Sequence, residues 1–182
     1  MGIGIRTKGL LMPIRMKSDI SAEFLRSFMS YDPETGLFIR MVRAGPRGGD
    51  LGSVVASQRD NCGYLVIKIL GRYYAAHRLA WLSVFGEWPK EEIDHVNGDR
   101  ADNRIANLRG ATRSQNNRNT RLRKDNKIGL KGMSARPNGR YQARIRIDKK
   151  TIWLGTFDTP EEANAVYASA AIHYFGEFAR VA

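Results

Sequence analysis

The sequence predicts an α+β protein assembled from small antiparallel sheets with helices packed on them. Three observations predict it. Short apolar stretches of strand length are separated by clusters of Gly, Pro, Asn and Asp. Helix-period segments lie between them and carry start and stop signals. The 182 residues, 42% of them hydrophobic, suffice for one ordinary domain or two small ones with a core. The expected division is an extension at 1–18, an N-terminal α+β region at 19–76, a central unit at 77–124 and a C-terminal unit, a three-stranded antiparallel sheet plus helix, at 125–182.

Residues 1–18 lack periodicity and contain Pro13, so they read as a flexible extension, with the start left open between Met1, Met12 and Met16. Residues 19–30 read as a short helix: Asp19 or Ser21 can cap it, and Phe24, Leu25 and Phe28 share a face. Tyr31-Asp-Pro-Glu-Thr-Gly36 is a turn, 37–42 a strand and 44–52 a Gly/Pro/Arg loop. Residues 63–70 form a strong strand, Gly71-Arg72 a tight turn, and 73–76 a partner strand or helix lead-in. Leu79, Leu82 and Phe85 mark a helix over 77–85, which Gly86 closes and Pro89 bars from continuing. Residues 92–95 are a short strand, 96–107 a polar loop and 108–111 the returning strand. Thr112-Arg-Ser-Gln115 matches a capping box, so a helix starts there; it carries Asn116, Asn119 and Arg123. After a linker come strands at 131–134, 141–147 and 151–155, with turns at Asn138-Gly139 and 148–150. Thr159-Pro-Glu-Glu162 opens an Ala-rich helix with an N-cap, a Pro at its first position and two acids in its first turn.

Charge narrows the function. Thirty Lys and Arg oppose 18 Asp and Glu, for a net charge of +12. The excess runs along the whole chain, which fits a structured surface that meets a polyanion. The single cysteine, Cys62, excludes an internal disulfide framework and a multi-Cys zinc site. No apolar run approaches the ~20 residues of a membrane span, and 1–12 make a poor signal peptide.

Asp94-His95 closes one strand and Asn116 lies on the helix that follows the returning strand. If the helix start folds back on that strand, a carboxylate and an amide carbonyl meet. Both are hard oxygen ligands, suited to Mg²⁺ or Mn²⁺ and poor for zinc. Strand neighbours point to opposite faces, so Asp94 and His95 serve one site only if the strand ends at this pair. His95, a neutral imidazole near pH 7, can then take a proton from water. His77 opens a helix beside an apolar face and reads as structural or DNA-contacting; His173 reads as a packing or surface residue.

The ordered run His77-Arg-Leu, Ile93-Asp-His-Val-Asn-Gly-Asp, Asp102-Asn-Arg, Asn107-Leu-Arg and Gln115-Asn116-x-x-Asn119 resembles the HNH endonucleases of the phage and homing-endonuclease branch, over residues 60–123. The resemblance implies a ββα-metal (His-Me finger) nuclease core. In it, His95 is the general base, Asp94 and Asn116 hold one divalent ion, Mg²⁺ or Mn²⁺, and Asn107 ties the loop of the finger. The family's last position is often His; here Asn116 stands there. The Tyr31–Gly36 segment is also typical of phage members.

Residues 129–179 resemble the plant AP2/ERF DNA-binding domain through Gly132, Arg136-Pro137, Gly139-Arg140-Tyr141, Ala143, Ile145-Arg146, Trp153-Leu-Gly-Thr-Phe157 and Glu161-Glu-Ala163. The resemblance implies that Arg136, Arg140, Arg144, Arg146 and Trp153 reach DNA from one sheet face. Alternation along the central strand places Arg140, Gln142, Arg144 and Arg146 together on independent grounds. Ser134 and Asn138 depart from the plant pattern, so plant sequence preference does not carry over. Between the two units, Arg113, Arg118, Arg121, Arg123 and Lys124 make a basic stretch suited to the phosphate backbone.

The expected protein is a metal-dependent DNA endonuclease, homing-type or phage, that nicks or cuts duplex DNA and is targeted by its AP2-like sheet. It is expected in the cytoplasm, the host's if phage-encoded, with double-stranded DNA as partner, no membrane and no evident obligate protein partner. The competing reading is a non-catalytic, sequence-specific DNA-binding regulator. Intact Asp94, His95 and Asn116 speak against it. An RNA-binding factor would be expected to show aromatic patterns the chain lacks.

Overall fold

The computed structural model describes residues 20–43, 49–55, 57–120, 122 and 125–181. The expected extension at 1–18, positions 44–48 of the Gly/Pro/Arg loop, and Arg121, Arg123 and Lys124 lie outside the described residues.

Helix α1 (Ala22–Phe28) begins where Ser21 Oγ accepts the Phe24 N–H, and buries Leu25 completely. It stops earlier than its helical pattern predicts, because Met29–Tyr31 becomes strand β1 and pairs antiparallel with β2 (Phe38–Arg40). The ladder gives those residues backbone partners and side-chain burial that one more turn of a short helix would not. The turn between the strands is built by Asp32, whose side chain accepts from the Glu34 N–H and the Thr35 hydroxyl.

A second sheet has the order β3 (Gln58–Arg59), β4 (Leu65–Ile69), β5 (Arg72–Ala75). Strand β3 is polar and two residues long, and carries no strand pattern of its own. The β4–β5 hairpin turns at Leu70-Gly71, both at positive φ, one residue before the expected turn. The chain then enters α2 (Ala76–Phe85), which ends at Gly86 in the left-handed conformation as predicted. Strands β6 (Glu92–His95) and β7 (Leu108–Ala111) pair antiparallel, with Asp94 opposite Arg109 and His95 opposite Leu108. Helix α3 (Arg113–Arg118) starts at Thr112 with both capping-box hydrogen bonds made. It is short, and Asn119 is its C-cap rather than an interior residue.

These elements share one apolar core. Leu25 of α1, Phe38 of β2, Ile67 and Ile69 of β4, Leu79 and Leu82 of α2, Ile93 of β6 and Leu108 of β7 all belong to it. Strand β6 therefore has Ile93 anchored in the core one residue before Asp94. The C-terminal sheet has the order β10 (Lys150–Phe157), β9 (Tyr141–Ile147), β8 (Met133–Ala135), with α4 (Pro160–Phe175) packed across it. Helix α4 packs on β9, where Ala143 and Ile145 of the strand and Ala163 and Ala171 of the helix are all buried, and a 3₁₀ turn at Gly176–Phe178 follows. The fold class is α+β as expected, with a C-terminal three-stranded sheet plus helix. Among the described residues no helix is long and apolar enough to cross a membrane.

Candidate active site and nucleic-acid interface

The strand–loop–strand–helix unit β6–β7–α3 borders a cleft of about 570 Å³. Asp94, His95, Asn116 and Asn119 line it, together with Arg59, Tyr64 and Arg100. Asp94 and His95 reach the same cleft because β6 ends at His95, after which the Val96 N–H bonds the Asn107 carbonyl. Both side chains are almost fully buried, at 4% and 3% exposure.

His95 Nε2 lies 3.2 Å from Asn103 Oδ1. With that oxygen as acceptor, Nε2 carries the ring proton and the Nδ1 lone pair is free. Burial lowers the His95 pKa, against opposing pulls from the Asn103 hydrogen bond and Asp94, so the ring is neutral at pH 7. Asn103 is held in turn. The Tyr31 hydroxyl donates to its carbonyl at 2.7 Å, and burial keeps that phenol protonated by pushing its pKa to about 12. Ile105 N–H bonds Pro33 O, and Gly36 packs where a Cβ would sit 2.6 Å from the Asn103–Arg104 backbone. The Tyr31–Gly36 turn thus buttresses the loop that carries the partner of His95. Sequence reasoning missed Asn103; its only signal is its place in the Asp102-Asn-Arg run.

Asn107 lies across the loop: its Oδ1 accepts from the Asn97 N–H at 2.9 Å and its Nδ2 donates to Asp102 O at 2.8 Å. The Asp102 carboxylate accepts from Asn97 and Arg104, and the Arg104 guanidinium chiefly holds its pKa down at about 2.

The helix amides are arranged differently from the expectation. Asn119 Nδ2, not Asn116, donates to Asp94, 3.0 Å from each oxygen, and to His95 O at 2.8 Å. The Asn116 amide donates instead to Glu92 Oε2 at 2.8 Å while still lining the cleft. Three residues apart, both amides face β6, and the early end of α3 brings the C-cap residue closest to Asp94. Arg109 Nε and Nη2 donate to Asp94 Oδ2 at 2.9 and 2.7 Å. The available donors are carboxylate and amide oxygens. Among the described residues no group of three or more His, Cys, Asp or Glu stands ready for a metal. Such a set fits a hard, largely hydrated ion such as Mg²⁺ or Mn²⁺ and not a thiolate or imidazole zinc site.

His77 lies behind His95, their rings edge to face at 5.2 Å, with Tyr64 against both. Among the described residues its buried Nδ1 meets no hydrogen-bond partner, and burial first, then His95, pushes its pKa down to about 3. It is a packed, neutral ring, not a surface contact.

On the C-terminal sheet, Ala143 and Ile145 point to α4 while Arg144 and Arg146 are exposed. Trp153 pairs with Arg144 and Thr151 with Arg146 across the strands, so these side chains share the open face. Trp153 is 63% exposed. Two expected contacts are partly committed elsewhere. Arg140 Nε pairs with Asp158 at 2.8 Å, and Arg118 stacks on Phe175 at 4.5 Å and pairs with Asp148 at 3.6 Å. Arg136 and Arg113 are exposed.

Residues 74–118 match the family model described as HNH endonuclease. Over that stretch the chain is similar to HNH endonucleases. It is 30% identical over 118 residues, 64% of this chain, to an uncharacterised HNH endonuclease of Acanthamoeba polyphaga mimivirus, covering 61% of that protein. It is 43% identical over 65 residues, 34% of this chain, to an ethylene-responsive transcription factor of Arabidopsis thaliana, covering 31% of it. It is 48% identical over 45 residues, 25% of this chain, to an AP2/ERF and B3 domain-containing transcription factor of the same plant, covering 13%. The chain therefore spans under two thirds of each of these relatives. Within the matched residues 74–118 fall β6, β7 and α3, and with them Asp94, His95, Asn103, Asn107, Arg109 and Asn116; Asn119 immediately follows them.

Proposed function

We propose that this protein is a divalent-metal-dependent DNA endonuclease whose HNH segment hydrolyses a phosphodiester bond and whose C-terminal sheet binds the same duplex. The observation that carries the reading is His95: a neutral, buried ring with one nitrogen fixed by Asn103 and the other free, beside Asp94 in one cleft. Asp94 and Asn116, with Asn119 beside them, are the residues that would hold the ion, Mg²⁺ or Mn²⁺. The bound ion supplies charge stabilisation at the leaving 3′-oxygen. His95 Nδ1 takes a proton from water; the new O–P bond forms as the P–O3′ bond breaks, and the alkoxide takes a proton from solvent. Asn103 fixes the tautomer this requires, and Asn107 fixes the loop.

Gln142, Arg144, Arg146, Thr151 and Trp153 form the proposed duplex-facing surface, where Arg can address guanine edges or phosphate. Likeness to AP2/ERF transcription factors supports that role. A phage or homing-type origin and a cytoplasmic site of action belong to the same proposal.

A supercoiled-plasmid assay with and without Mg²⁺, comparing wild type with His95→Ala, tests it. Metal-dependent open-circle or linear product from wild type, lost in a variant that still binds DNA, is expected; open circle alone denotes nicking. Wild type that binds DNA but leaves source-genome and plasmid DNA intact would point to the regulator reading.

A further inference from the structure

The C-terminal segment after α4 reaches the Asp94 carboxylate through a single side chain. Arg109 stands on β7 opposite Asp94 and uses its whole guanidinium. Nε and Nη2 donate to Asp94 Oδ2; Nη1 donates to the Glu177 carbonyl at 2.8 Å and meets its carboxylate at 3.4 Å. The planar face lies 3.9 Å from the centre of the Phe178 ring, which is itself buried. Two flanking contacts dock the same segment on the nuclease unit: Arg118 stacks on Phe175, and Arg180 Nη1 donates to Asn97 O.

We propose that Arg109 is a positioning residue for Asp94, and that Phe178 and Glu177 hold Arg109 in place, so that the AP2-like module completes the nuclease site as well as tethering it. The inference rests on the nuclease reading given above. An arginine on a flexible stem reaches one carboxylate oxygen in many geometries. Clamped on its face by an aromatic ring and at its third nitrogen by a carbonyl, it has few left. Asp94 is then presented to the cleft in one orientation, its Oδ1 free of Arg109. The backbone of β6 is not involved, so loosening the clamp alters orientation without unfolding the finger.

The test combines Phe178→Ala, Phe178→Tyr and Arg109→Lys in the full chain. Two readouts are needed: exchange protection of the Arg109 Nε–H by ¹⁵N NMR without metal, and steady-state cleavage. Phe178→Ala is expected to lose the Nε–H protection and about tenfold in kcat, with KM for DNA within about twofold of wild type. Phe178→Tyr keeps the ring and is expected to restore both. Arg109→Lys, which lacks the fork, is expected to lose kcat at least as much as Phe178→Ala. Retained Nε–H protection in Phe178→Ala, or abolished protection with unchanged kcat, overturns the proposal. A wild-type chain that cleaves nothing overturns the nuclease reading instead, and the clamp itself is then decided by the Nε–H exchange.

Discussion

Among single residues, His77 and Gly36 are placed by their surroundings. His77 has a folded pKa near 3 against an unfolded value near 6.5. Between those values the unfolded chain holds the extra proton, so stability is full above about pH 6.5 and is lost as pH falls toward 3. Replacing it with Phe should flatten the fall of the urea midpoint across that window, by up to a few kcal/mol at its acid end. An unchanged slope would show that His77 titrates normally. His95 has the same sign and stays in the variant. Gly36→Ala meets two obstacles at once, a φ of +73° and backbone atoms 2.6 Å from the new methyl. It should cost roughly 2 kcal/mol or more in chemical denaturation and lower cleavage further by shifting Asn103. On the nuclease reading, Asn103→Ala should lower kcat by about 10- to 100-fold. It should also move the acid limb of the rate profile to lower pH, because the Asn103 hydrogen bond is the largest influence raising the His95 pKa.

For whole elements, α3 is the informative case. Its capping box is readable from Thr112 and Gln115, and the structure makes both bonds. Its length is not readable, because the pattern Gln115-Asn-Asn-Arg-Asn119 continues well as helix. Where it ends, its C-cap Asn119 donates to Asp94 and to the His95 carbonyl at the end of β6. Thr112→Ala should therefore cost about 1 kcal/mol of stability by thermal melting, an ordinary cap loss. It should cost more in kcat than that stability loss accounts for, since the frayed helix also releases Asn116 and Asn119. Strand β3 shows the opposite failure: two exposed polar residues become a strand only because β4 offers them an edge. The sheet face of β9 is legible from alternation alone, but the pairing of Arg140 is not, since Asp158 arrives from beyond β10.

At the scale of the molecule, small separate sheets are held to one purpose by a few long-range contacts. Tyr31 and Arg109 link, respectively, the N-terminal turn and the C-terminal segment to the site. If the open face of the C-terminal sheet carries duplex DNA, Arg144→Ala combined with Arg146→Ala should weaken binding. It should also reduce the slope of log affinity against log salt by about 1 for each phosphate no longer neutralised, measured by fluorescence anisotropy. An unchanged slope would assign both side chains to bare solvent. The fold class, the capped helices and the alternating sheet face were legible in the amino-acid order, because these follow from local periodicity and capping chemistry; ordered motif spacing singled out Asp94, His95 and Asn107, and the structure sets the first two in one cleft and the third across its loop. Tertiary packing was needed to settle which amide meets Asp94, that Asn103 meets His95 Nε2, that His77 is buried and neutral, and that Arg109 joins the two units. Those facts are pairings between residues up to 68 positions apart, as Arg109 and Glu177 are, and no local pattern encodes a partner at that distance.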